Sequence, residues 1–439
     1  ILKHPVKKVD YVELDPGIID LAEKYLDITK DTRVKTFLMD GRAFVKKEKY
    51  KYDVIILGLP DPYTAMLNRF YSLEFFREAK KILSSDGVFS FTLSSSENYI
   101  NPEQSYYLAS LYNTLKEEFK DVKIFPGDTA TFLASNKPGL LTYSSQTLIN
   151  RLKDRSIDTK FVSEHYLPFK LESLRIKYIE DSIKSSSSAK INHDFKPIGY
   201  LYNTLLWITL FHSGKGLLLY LEKIDLNLFI LIIVGLAMLT FLIGRVKKSS
   251  FKDFVALSIL TTGMSEISFQ IIVILAFQFL YGYMYYKLGM ILTSFMIGLV
   301  GGSFCINRIL GKIKNERALY LKTQLLICIY PLVLPLVFTS IARNPQAAQA
   351  LQASFAFLPI IAGFIGGFQF PLATKICLKT SQDSAKTAGS LYGLDLLGAC
   401  IGGLLVALIL IPIIGLIQTC LFLSILNALV LVLLSTSKS

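Results

Sequence analysis

Over the first 135 residues, short β-rich runs alternate with amphipathic stretches, the pattern of a mostly parallel sheet covered by helices. Lys8 to Leu14 reads as a strand. Pro16 then suits the first turn of a helix, in which Ile18, Leu21, Ala22 and Tyr25 form an apolar stripe. Val34 to Met39 is a second predicted strand, and Asp40-Gly41 turns into a short helix carrying Phe44 and Val45. Tyr52 to Leu57 is a continuous apolar run, expected of a strand covered on both faces. A helix over Leu73–Leu83, a strand over Gly87–Leu93 and a long helix over Glu103–Phe119 follow. Val122–Phe125 and Thr129–Ala134, joined through Gly127-Asp128, complete the pattern as an antiparallel pair. The expected fold is α/β and Rossmann-like, a doubly wound sheet.

Residues 136–200 predict a helical extension and linker. Ser144 and Ser145 suit a helix cap, Pro168–Ile183 has a helical stripe, and Ser185–Ser188 reads as a flexible connection. His193, in Asn192-His193-Asp194, has no obvious partner and reads as a loop residue. Beyond residue 200 the pattern changes to runs of about 20 apolar residues, enough to span a bilayer. These are Leu226–Gly244, Phe254–Leu280, Leu288–Ile306, Leu319–Ile341, Phe355–Thr374, Leu391–Ile411 and Leu416–Leu434, with a weaker one at Leu201–Leu221. The expected second half is thus an all-α polytopic membrane domain of about eight helices, residues 201–439.

Composition agrees with this division. The chain of 439 residues is 52% hydrophobic and 18% charged. Residues 1–200 hold 30 Lys/Arg against 27 Asp/Glu, whereas residues 201–439 hold 17 against 7. The basic residues of the second half cluster at 245–252, 308–322 and 375–386, between predicted spans. The positive-inside rule accounts for them, so the net charge of +13 does not point to nucleic acid. If Leu201–Leu221 crosses, the same rule puts the soluble half in the cytoplasm. All five cysteines lie in the apolar half without metal-ligand spacing, and no metal site is expected.

Ligands of doubly wound sheets bind outside the carboxyl ends of the strands. Glu13 and Asp15 end the first predicted strand, Asp40 the second, and Asp61 follows the third. An acid at such a position commonly receives ribose hydroxyls, although Asp40 equally suits the cap of the helix after it. Tyr63, Asn68, Arg69 and Tyr71 crowd the loop after Asp61. Arg69 fits either a carboxylate-bearing substrate or a tie that holds a lid loop down. In the apolar half, Glu266 and Asp395 lie within spans. Intramembrane acids mark a substrate or proton site, or lock the bundle.

The series Val12-Glu13-Leu14-Asp15-Pro16, Asp40-Gly41-Arg42-Ala43-Phe44 and Tyr52–Ile56 with Asp61-Pro62 resembles the spermidine synthase (polyamine aminopropyltransferase) family over residues 1–135. Asn68-Arg69-Phe70-Tyr71 and Ala388 to Asp395 resemble a membrane-fused bacterial branch of it. The resemblance implies a transferase that binds decarboxylated S-adenosylmethionine and moves its aminopropyl group to an amine. It implies Glu13 on the ribose hydroxyls with Asp15 supporting it, Asp40 on the adenine amino group with Gly41 allowing close approach, and Asp61 as the catalytic residue that holds a substrate ammonium. It also implies a preceding first strand and glycine-rich loop, so the chain reads as an N-terminally truncated fragment, and a multi-pass location in the bacterial inner (plasma) membrane. One departure stands out. The family has an aspartate three residues before the Asp-Pro pair, thought to deprotonate the amine, and this chain has Gly58. Losing a positioned base costs about 10²–10⁴-fold in rate. The alternative expectation is a transporter or sensor whose nucleotide domain is catalytically degenerate. A methyltransferase on the same sheet is a third.

Overall fold

A computed structural model of the chain describes residues 1–26, 31–211, 226–246, 250–282, 285–343, 352–379 and 383–437. They form two compact units, Ile1–Leu218 and Leu219–Ser439.

In the first unit β1 (Val9–Glu13) pairs in parallel with β2 (Val34–Leu38), connected through α1 (Pro16–Leu26). After α2 (Gly41–Lys47), β3 (Tyr52–Leu57) pairs in parallel with β4 (Leu83–Ser94), connected through the short α3 (Ala65–Asn68) and α4 (Leu73–Ile82). Helix α5 (Pro102–Glu118) leads to β5 (Asp121–Phe125) and β6 (Thr129–Ser135), and the second sheet has the order β3-β4-β6-β5. The parallel strand–helix–strand units with an antiparallel end are the predicted α/β, Rossmann-like pattern. The ladder is not continuous, however: β1–β2 and the four-stranded sheet are separate. A hydrogen bond from the Tyr52 hydroxyl to Asp10 Oδ2 (2.6 Å) joins the start of β3 to the start of β1. Val54 and Ile56 on β3 are exposed, so this strand is not covered on both faces as its apolar run predicts.

The core of the four-stranded sheet follows from period-2 alternation on β4, which buries Phe89, Phe91 and Leu93. Phe91 stacks on Phe132 of β6 with centroids 4.8 Å apart, and on Phe76 of α4 at 5.7 Å. Helix α5 adds Leu108, Leu111 and Leu115, all fully buried. The extension forms α6 (Ser145–Asp154), α7 (Tyr166–Lys170) and α8 (Ser173–Ser185), packed around Ile149, Leu167 and Leu171.

The serine run is held in place against α5. Ser186 Oγ lies 2.8 Å from Ser105 Oγ, and Asn113 Nδ2 donates to the carbonyls of Ser187 and Ala189 at 3.2 Å each. Helix α9 (Ile198–Phe211) also packs on α5 and buries Leu201, Tyr202, Leu205 and Leu206 within this unit. It covers the first half of the weak predicted span. Residues 212–221 of that span lie outside the described residues.

The second unit is helical: α10 (Leu226–Val246), α11 (Phe251–Tyr281), α12 (Tyr285–Ile309), α13 (Glu316–Arg343), α14 (Ser354–Leu378), α15 (Ser384–Leu405) and α16 (Leu416–Thr436). Six of them, α11 to α16, are long and apolar enough to cross a membrane, and the apolar part of α10 is shorter. Among the described residues six helices meet this measure, and residues 212–225 of the predicted eight-helix domain lie outside them. Glycines mark the crossing of α12 and α14. A Cβ on Gly298 or Gly302 of α12 would run into the backbone of α14 at Ile360 and Phe364, and one on Gly363 or Gly367 into α12 at Phe295 and Leu299. Such small residues let membrane helices approach closely.

Candidate functional site

At the end of β1, the Glu13 carboxylate folds back on its own turn. Its Oε1 accepts the amides of Leu14 (2.7 Å) and Asp15 (3.1 Å), while Oε2 lies 3.5 Å from the Tyr11 hydroxyl. Oε2 is thus the oxygen with capacity for a further donor. Asp15 is exposed and accepts the Gly17 amide at 2.8 Å, opening α1.

At the end of β2, Asp40 caps α2 by accepting the amides of Arg42 (3.1 Å) and Ala43 (3.0 Å). Its carboxylate is also ion-paired with Arg69, both being buried. This pairing joins two predicted site residues and commits both: Asp40 is a helix cap and the counter-charge of Arg69. A Cβ on Gly41 would meet only the Phe70 ring, at an ordinary 3.6 Å.

Behind this pair lies a network that the sequence reading missed. Arg42 is 2% exposed and grips Glu78 through Nε (2.7 Å) and Nη2 (2.9 Å). It also grips Asp194 through Nη1 (2.7 Å) and Nη2 (2.8 Å). Burial opposes its charge, but Asp194 and Glu78 more than offset that, and the guanidinium stays protonated. Ser72 Oγ donates to Asp194 Oδ1 at 2.6 Å. Next to it, His193 Nδ1 sits 3.0 Å from Glu74 Oε1, and Asn192 Nδ2 donates to the Tyr71 carbonyl at 2.9 Å. The Asn192-His193-Asp194 segment thus seats on the loop before α4.

At the end of β3, Asp61 is partly exposed and accepts the Ser94 amide at 3.1 Å, tying its loop to the end of β4. The buried Tyr71 hydroxyl, shared between the carbonyls of Pro60 (2.8 Å) and Leu59 (3.1 Å), clamps the same loop from behind. Burial, and secondarily the Asp61 charge, raise the Tyr71 pKa, so the phenol stays a neutral donor. A Cβ on Gly58 would meet nothing within 4 Å, so this position opens into space. Tyr63 is exposed at the rim. Asn68 is buried, and its Oδ1 accepts the Tyr200 amide of α9 at 3.0 Å. Among the described residues no three His, Cys, Asp or Glu side chains converge as a metal site.

In the helical unit, the intramembrane acids each abut a glycine on a neighbouring helix. Glu266 of α11 lies against Gly366 of α14, and Asp395 of α15 against Gly263 of α11. Nearby, a chain of neutral groups links four helices. Thr262 Oγ1 donates to Gln369 Oε1 (2.9 Å), Gln369 Nε2 to Gln324 Oε1 (2.7 Å), Gln324 Nε2 to Asn427 Oδ1 (3.2 Å) and Asn427 Nδ2 to Ser265 Oγ (2.7 Å).

Residues 1–133 match the spermine/spermidine synthase domain. The chain is 43% identical over 94 residues to polyamine aminopropyltransferase 2 of Aquifex aeolicus, covering 20% of this chain and 19% of that protein. It is 30% identical over 169 residues to a polyamine aminopropyltransferase of Sulfurisphaera tokodaii, covering 35% and 54%. The chain thus spans between a fifth and about half the length of these relatives. Among solved structures, the spermidine synthase of Thermotoga maritima aligns at 21% identity and TM-score 0.33, over 42% of this chain and 63% of that one. The N-terminal part of the chain is a spermine/spermidine synthase domain, followed by a unit of apolar helices long enough to span a membrane.

Proposed function

From a spermine/spermidine synthase domain joined to apolar spans, we propose a membrane-bound, polyamine aminopropyltransferase-like protein. A decarboxylated S-adenosylmethionine-type donor is the co-substrate, and an amine is the acceptor. The bond formed is between the amine nitrogen and the terminal aminopropyl carbon. The bond broken is that carbon's bond to sulfur, so methylthioadenosine leaves and the amine gives up a proton. Asp61 carries the reading: it is a partly exposed carboxylate at a strand end, in a loop clamped by Tyr71. There it can hold the acceptor ammonium, with Tyr63 at the rim. Glu13, through Oε2, and Asp15 are the proposed donor ligands at the neighbouring strand end. Asp40 and Arg69 support that shell as a buried pair. With Gly58 in place of an acid, water or Asp61 receives the proton. We place the helical unit in a bacterial inner membrane, with the α/β unit on the cytoplasmic side where an adenosyl donor would be available.

The test is methylthioadenosine release by the full-length protein in detergent, given decarboxylated S-adenosylmethionine and a mixed pool of amines. Amine-dependent release that Asp61→Asn abolishes supports the reading, and donor binding without release rejects it. A second reading, a transporter or sensor, is favoured by the placement of Glu266 and Asp395 inside the helical unit. Its mark is polyamine uptake into proteoliposomes that Glu266→Gln stops and Asp61→Asn leaves intact.

A further inference from the structure

Four buried polar atoms of the α/β unit make no hydrogen bond in this structure: Asn68 Nδ2, Asn203 Oδ1, Asn203 Nδ2 and Tyr107 Oη. Their residues are 0% exposed and come from three elements, α3, α9 and α5. Buried polar atoms without partners are costly, and each calls for an explanation. The Tyr107 hydroxyl lies beside both Asn203 and the Asp61 carboxylate. Asn68 already binds the backbone of α9 at Tyr200, one turn before Asn203.

Donor and acceptor capacities allow one order of pairing. Asn68 Oδ1 is occupied by the Tyr200 amide, so Asn68 has its Nδ2–H left to give. An approaching donor needs Asn203 Oδ1, which turns Asn203 Nδ2–H towards Tyr107 Oη. With its oxygen accepting, Tyr107 directs its O–H at Asp61, and a carboxylate only accepts. Burial and the negative charge of Asp61 raise the Tyr107 pKa, which keeps that proton on the phenol. The groups facing Asp61 are Tyr107 from α5, Tyr71 from the loop before α4, the Ser94 amide from β4 and, through Tyr107, the neutral Asn203 from α9.

We propose that Asn68, Asn203 and Tyr107 form a buried hydrogen-bonded relay ending on Asp61, so that α9 orients the carboxylate that receives the acceptor ammonium. Bonds of this kind are often loose in a free enzyme and tighten when substrate binds. Asn203 lies outside the 1–133 region of the synthase domain, so this positioning residue is an addition made by the chain beyond it. The inference rests on the aminopropyl-transfer reading of Asp61.

The full-length protein and its Tyr107→Phe, Asn203→Ala and double variants test it through the amine KM, the donor KM and the carboxylate infrared band of Asp61. That band is isolated as the difference between each protein and its Asp61→Asn counterpart. Tyr107→Phe is expected to raise the amine KM about tenfold, the usual worth of one hydrogen bond to a charged group, and to leave the donor KM unchanged. The double variant should be no worse than Tyr107→Phe alone, because both cut one chain. Additive losses, or equal rises in both KM values, would mean separate packing roles and overturn the relay. If the wild-type protein releases no methylthioadenosine, the transfer reading fails by itself. The infrared band then decides: a shift in both single variants supports the relay, and an unmoved band rejects it.

Discussion

Asp40 and Asp61 look alike in the sequence, each an acid at the carboxyl end of a strand, yet they serve opposite ends. Asp40 is 5% exposed, caps a helix and neutralises Arg69, so both its oxygens are engaged by the fold. Asp61 is partly exposed and held by backbone groups, the Ser94 amide and a loop that Tyr71 clamps. A carboxylate paired with a buried guanidinium is a structural anchor. One fixed by neutral donors keeps a net charge to offer a cation. The difference between the two regions is the partner, and the partner comes from residues far along the chain.

The largest effect should come from sharpening the Asp61 region. Gly58 has open space where a side chain would stand, so Gly58→Asp can be accommodated without displacing a neighbour. If Asp61 already orients an amine, a carboxylate placed three residues before it is expected to raise amine-dependent methylthioadenosine release by about 10²–10⁴-fold, the contribution of a positioned base. An unchanged rate in a protein that still binds donor would show that the Asp61 region is not arranged for this chemistry.

Arg69→Met tests the other side. It leaves the Asp40 carboxylate buried beside an apolar side chain, and breaking a buried pair in this way typically costs about 3–5 kcal/mol. Pulse proteolysis of the α/β unit in the intact protein should register the loss. A cost below about 1 kcal/mol, accompanied by tighter adenosine binding, would make Asp40 a ligand that Arg69 merely screens, and the contrast with Asp61 would collapse. The helical unit provides a milder case, because its buried links are neutral. Gln324→Leu cuts two bonds of the Thr262–Ser265 chain, yet it should cost only about 1 kcal/mol, in line with hydrogen bonds between membrane helices. Unfolding in mixed micelles would measure it.

These partners explain what the sequence made legible. Local signals placed the elements: alternation at Phe89, Phe91 and Leu93 for β4, Pro16 opening α1, and Asp40-Gly41 opening α2. The strand ends, and hence the positions of Glu13, Asp40 and Asp61, followed from those elements. The two readings of Arg69 were separable only by its neighbour, which proves to be Asp40. Arg42 reaches Glu78 and Asp194, 36 and 152 residues away, and no periodicity encodes a pairing at such separations. The same holds for Ser185–Ser188, whose composition suggests a free linker but whose hydrogen bonds go to α5. The run at Leu201–Leu221 is apolar enough to suggest a span, but hydropathy alone does not show that its first half, in α9, packs on α5.

The smallest expected effect concerns His193 and Glu74, which pin the Asn192–Asp194 segment beside Arg42. The hydrogen bond to Glu74 raises the His193 pKa above its ordinary 6.5. The pairing with His193 lowers that of Glu74 below its ordinary 4.5, outweighing burial. A raised histidine contributes stability that is full below about 6.5 and lost as pH climbs through its folded value; a lowered carboxylate contributes stability that is full above about 4.5 and lost as pH falls through its folded value. The pair therefore helps most between these two pH values. Both side chains are more than a third exposed, at 41% and 36%, so solvent screening limits the gain to under about 1 kcal/mol. His193→Ala should accordingly lower the stability of the α/β unit at pH 5.5 and approach the wild type by pH 8.5. A difference of the same size at both pH values would mean that the imidazole acts by packing alone, with Arg42, Ser72 and Asn192 among the polar anchors that remain to that segment.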